Sequence, residues 1–140
     1  MLFNLSNPDT PLLEQLRGVV GVALVLPDEL SPRAAGIQQF VIIDANDDII
    51  RLIQGALGIL TCQIEVRTLG LLIWFQETIA PMVLALPYHQ LALFKGGDYL
   101  QLHSHPWRLK LLIEDEAVSR EFQRKLFAQR AILHHKNAFK

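Results

Sequence analysis

Between Leu60 and Arg67 apolar and polar residues alternate without a break. Leu60, Cys62, Ile64 and Val66 fall on one side, and Thr61, Gln63, Glu65 and Arg67 on the other. A period of two predicts a β-strand with one buried and one wet face. The same period runs through Trp107–Glu114: Trp107, Leu109, Leu111 and Ile113 oppose Arg108 and Lys110, and Leu112 breaks the polar side. Two other stretches carry the helical period. Ile49, Leu52, Ile53, Ala56 and Leu57 recur at helical spacing and predict a helix stopped by Gly58. Val118, Phe122 and Leu126 form the buried stripe of a longer C-terminal helix, continued by Ile132 and Leu133. Asp115 and Glu116 stand at its start and Arg120, Arg124, Lys125 and Arg130 follow, as the helix dipole favours. Residues 134–140 read as a frayed tail.

The densest apolar run, Leu69–Phe94, predicts core strands broken by a turn near Gln76–Pro81. Lys95-Gly-Gly-Asp signals a hairpin, and Ser104-His-Pro a second turn. Nearer the N-terminus, Thr10–Pro11 marks a helix start, with Leu12, Leu13 and Leu16 on one face and Gly18 as its end. Val19–Pro27 (VVGVALVLP) reads as a strand buried on both faces, Asp28–Gly36 as a polar loop and Ile37–Ile43 as a further strand. The predicted order is helix, two strands, helix, about five strands, helix. It implies a single α+β domain over residues 1–140, with an antiparallel or mixed sheet of about 6–7 strands. Helices would pack mainly on one face, and a long C-terminal helix would close the fold.

The element order of the first two-thirds resembles roadblock-type domains, with VVGVALVL before IQQFVIID similar to their first strand pair. The final meander and helix are similar instead to the close of a PH-like domain. The two resemblances imply different folds but the same broad role, protein interaction.

Composition narrows the function classes. At 140 residues and 51% hydrophobic content the chain can bury an ordinary core. Thirteen basic against fourteen acidic residues leave a net charge of −1, which gives no electrostatic drive toward nucleic acid or an anionic membrane. Near-neutrality also does little to oppose self-association, which leaves room for a homodimer. Cys62 is the only cysteine, so no intrachain disulfide forms, in keeping with a cytoplasmic location. The opening MLFNLSNPDTP lacks the basic start of a secretory leader, and Gln76, Glu77, Pro81 and Pro87 interrupt the one run apolar enough to suggest a membrane span.

Candidate chemistry is sparse, and no cofactor or metal is expected. His103 and His105 share one face of a strand and His89 lies nearby, but no cysteine or carboxylate stands beside them. Asp44, Asp47 and Asp48 suit helix capping, since the bidentate glutamate of a calcium loop is missing. Cys62 belongs to the apolar side of its strand. The alternative of a small enzyme or ligand-binding domain would rest on Glu77 with His89, His103 and His105 around one pocket. The leading expectation is a non-enzymatic interaction module: an adaptor, chaperone or assembly factor. It would bind a partner peptide or subunit at a sheet edge or in a groove beside the last helix. Trp74, Phe75, Met82, Tyr88, Trp107 and Leu112 are its candidate contacts, because two helices would not cover both faces of the sheet.

Overall fold

Eight strands form one fully antiparallel sheet in a computed structural model that describes residues 2–6, 9–22, 24, 36–53, 60–75 and 82–138. In chain order they are β1 (Leu2–Asn4), β2 (Ile37–Ala45), β3 (Thr61–Val66), β4 (Gly70–Phe75), β5 (Met82–Pro87), β6 (Ala92–Lys95), β7 (Tyr99–Ser104) and β8 (Trp107–Leu112). The helices are α1 (Thr10–Val20), α2 (Asp47–Ile53) and α3 (Glu116–Ala138), and a single 3-10 turn spans Tyr88–Gln90. The spatial order is β1-β5-β4-β3-β2-β8-β7-β6. Two local meanders, β3-β4-β5 and β6-β7-β8, therefore flank β2, and β1 and β6 are the edges.

Period-two alternation sorts the side chains onto two faces. Cys62, Ile64 and Val66 of β3 join Ile73 of β4 and Phe40 of β2 in the main core, which α2 and α3 cover. Ile49, Ile53, Phe122 and Leu126 supply the helical side, and the Phe122 ring meets Phe40 edge-on at 5.1 Å between centroids. On the opposite face, Leu16 and Val20 of α1 pack on Leu72, Val83, Ala85 and Phe3. The helices thus lie mainly on one face, that of α2 and α3, and α1 alone covers the other: the period of α1 shows that it buries a side, but not which side of the sheet receives it.

Several boundaries differ from expectation. The expected strand over Val19–Pro27 fails at its start, because Val19 and Val20 complete α1, and residues 23 and 25–27 fall outside the described residues. Gly18 sits inside the helix, and the stop is Gly21, whose φ of 79° is open to glycine at little cost and whose N–H donates to the Arg17 carbonyl at 2.7 Å. At the other end Asp9 caps the helix, its carboxylate accepting from the Leu12 N–H at 2.9 Å. The first strand pair on which the roadblock resemblance rested is accordingly not formed by Val19 and Val20. The strand count is eight: β1, which pairs with β5 from Leu2↔Leu84 to Asn4↔Met82, was not expected, and six strands instead of about five follow α2. The backbone of α3 stays helical to Ala138, so residues 134–138 continue the helix instead of starting a tail. Helix α2 is described to Ile53, and Ala56, Leu57 and Gly58 lie outside the described residues. No described helix is long and apolar enough to cross a membrane.

Candidate functional site

Pro87 closes β5, and the 3-10 turn that follows carries the chain from the interior to the β6 edge. Three hydrogen bonds fix its path. The buried Tyr88 hydroxyl donates to the Arg67 carbonyl at 2.6 Å. The Leu91 N–H donates to the Tyr88 carbonyl at 3.2 Å. The Leu91 carbonyl accepts from Arg130 Nη2 of α3 at 3.0 Å. Burial pushes the Tyr88 phenol well above the ordinary tyrosine range, so it remains a hydrogen-bond donor at neutral pH. Further along the edge, Lys95 Nζ of β6 pairs with Glu116 at the start of α3 at 2.7 Å. Helix α3 is thus fastened near both ends of the edge strand.

Around the first of these fastenings, between Arg130 and Leu91, lies a groove of about 780 Å³. Leu91, Ala92, Phe127, Ala131 and Leu133 give it apolar walls; His89, Gln90 and Arg130 are its polar groups, and Tyr88 borders it. Phe127 is 46% exposed, although it adjoins the fully buried Leu126 in sequence. Phe94 of β6 is 55% exposed. A large aromatic left this open on a core element is a departure from the usual burial of phenylalanine. Among the described residues strand β6 also has no neighbour on its outer side in the sheet, where an edge presents backbone donors and acceptors to another chain.

The six expected contact residues do not gather into one patch. Phe75 and Tyr88 are buried, at 5% and 3% exposure, and belong to the main core. Met82 and Trp107 are half-buried against that core, on β5 and β8 with β4, β3 and β2 between them. Trp74 packs beside α1 on the opposite face. Leu112 shares that opposite face but stands on β8, in register with Val41 on one side and Tyr99 on the other. Only Tyr88 borders the groove.

The histidines are likewise separated in role. His89, His103 and His105 are all exposed, and His89 alone lines the groove. Among the described residues no three of histidine, cysteine, aspartate and glutamate are grouped to hold a metal ion. Glu77 lies outside the described residues. Cys62 is fully buried, and burial pushes its thiol up to about 12, so the reactive thiolate is suppressed. The expected wet face of β3 is interrupted by Glu65, which is 6% exposed and held by Arg67 Nε at 3.0 Å. Arg67 also donates to the Gly21 carbonyl at 3.3 Å, so this pair ties β3 to the end of α1.

The groove residues Leu91, Phe127, Arg130 and Ala131 were not singled out by sequence pattern. Their signal was present but small: Phe127 lies off the Val118–Phe122–Leu126 stripe, on a side of α3 otherwise rich in arginine. No family model, curated protein or solved structure matches the chain.

Proposed function

We propose that this protein is a non-enzymatic interaction module, an adaptor or assembly factor, and that it holds a partner segment in the groove between α3 and the Tyr88–Ala92 turn. The observation that carries this reading is Phe127, an aromatic side chain left open at the lip of an apolar groove that Ala92 of the edge strand β6 also lines. Aromatic anchors in concave apolar sites account for much of the affinity of protein interfaces. An extended segment lying there also gains backbone hydrogen bonds from the edge.

A photo-crosslinking amino acid placed at Phe127 tests the reading in cells. A discrete crosslinked partner is expected from position 127 and not from Leu13, which is equally exposed, at 46%, on α1 across the sheet. Equal labelling from both positions, or none from either, would refute it.

A further inference from the structure

The charge around the groove specifies its occupant further, on the basis of the interaction reading above. The charged or chargeable residues that line it, Arg130 and His89, are both bases, and no carboxylate lines it among the described residues. Arg130 spends one N–H on the neutral Leu91 carbonyl, and no ion pair involving it occurs among the described residues. The carboxylates earlier on α3 are engaged: Glu116 with Lys95 at 2.7 Å, and Glu121 with Lys125 at 3.8 Å. Arg120, Arg124, Phe127 and Ala131 are spaced by four, three and four residues, which places them on one stripe of the helix. All four are exposed. The stripe therefore runs from cationic to apolar as it enters the groove.

We infer that the partner segment is acidic as well as apolar. Its apolar side chains sit against Phe127, Ala131 and Leu133, while Leu91, only 3% exposed, forms the floor, and a carboxylate faces the Arg130 guanidinium. An arginine with unspent donors recognises a carboxylate through charge-assisted hydrogen bonds, which are stronger than neutral ones and strengthen as water is excluded. A nucleic acid would also meet the arginines. It is disfavoured by the apolar walls of the groove and by the chain's net charge of −1.

Selection of a displayed random peptide library on the full chain tests the inference. Enriched peptides are synthesised and their affinities measured by fluorescence polarisation. The expected peptides carry Asp or Glu beside large apolar residues. Phe127→Glu should abolish their binding and Leu13→Glu should leave it unchanged. Arg130→Gln, which retains a donor for the Leu91 carbonyl, should weaken binding about tenfold or more, and Arg130→Lys should weaken it less. Replacing the peptide's own carboxylate by its amide should give a similar loss with the protein unaltered, which keeps the test decisive if Arg130→Gln perturbs the fold. Peptides without acid, or acidic peptides indifferent to both changes, would overturn the inference. If Phe127→Glu still abolished binding of such peptides, the groove reading would stand. Absence of any peptide sensitive to Phe127→Glu would remove both. Displacement of the peptide by an equal concentration of oligouridylate would assign the stripe to nucleic acid instead.

Discussion

The Tyr88 hydroxyl reaches the Arg67 carbonyl at 2.6 Å, joining the turn after β5 to the end of β3 across an interval of 21 residues. This bond sets where the chain leaves the core and so where the groove begins. Tyr88→Phe should cost about 1–2 kcal/mol, because it removes the donor and leaves a partly buried carbonyl unpaired. Urea denaturation measures the loss. The raised phenol pKa has a definite sign: the neutral form is the one the fold favours. Its contribution is complete below the ordinary tyrosine value of about 10 and is lost as pH rises beyond it. Wild-type stability should therefore fall more steeply above that pH than that of Tyr88→Phe.

Phe122 and Phe127 lie on the same helix with opposite assignments. Phe122 is 2% exposed and packs on Phe40, so Phe122→Ala should destabilise the fold by about 3–5 kcal/mol. Phe127→Ala should change stability by roughly 1 kcal/mol or less, since half of the side chain is already in water. Partner binding should show the reverse dependence once stability is allowed for. Thermal melts and crosslinking yields on the same two variants provide both readings.

Arg108 donates to Asp44 Oδ2 at 2.8 Å, and this bond, followed by the Ala45 N–H, holds the Asp44 carboxyl below the ordinary aspartate value. The stabilisation is present above that ordinary value and disappears as pH falls through the lowered one. Arg108→Gln should raise the titration midpoint of Asp44, followed by carboxyl carbon shifts in NMR. The pair is well exposed, so global stability should move by no more than about 0.5 kcal/mol.

Cys62 should resist thiol reagents in the folded protein at neutral pH and react fully in denaturant. Its reaction rate then reports opening of the core, because α2 and α3 must lift from the sheet before the thiol reaches solvent. A folded-state rate equal to that of the unfolded chain would show that the strand is not buried.

Alternating patterns were legible wherever one face of a strand meets the core. Cys62, Ile64 and Val66 marked β3, and Leu109 and Leu111 marked β8, because a period of two is a direct imprint of the pleat. Strand β1 was not legible: three residues hold too little pattern, and only their pairing with β5 makes them a strand. Val19 and Val20 misled for a different reason. Their β-branched side chains favour strands in isolation, but α1 continues until Gly21 supplies a backbone angle that ends it, and burial of Val20 outweighs propensity. The site was the least legible part. The expected contact residues were chosen for size, and size also selects core residues such as Phe75 and Tyr88. The groove depends instead on how α3 crosses the end of the sheet. That is a tertiary relation between Arg130 and Leu91, 39 residues apart, with no local periodicity.

Strand β2 has a consequence for the molecule as a whole. It alone joins the β3-β4-β5 meander to the β6-β7-β8 meander, pairing with β8 from Val41↔Leu112 to Ala45↔Leu109 across a shifted register at Ile43. Each meander closes through short connections, while β2 and β8 meet across some seventy residues of chain, an entropically costly union. Strand pairing between the two halves therefore passes through the seam of β2 with β8, while the core that α3 covers spans both. The groove and its edge strand belong to the half that β2 joins to the rest of the sheet, so a substitution that breaks the seam should disturb the groove from a distance.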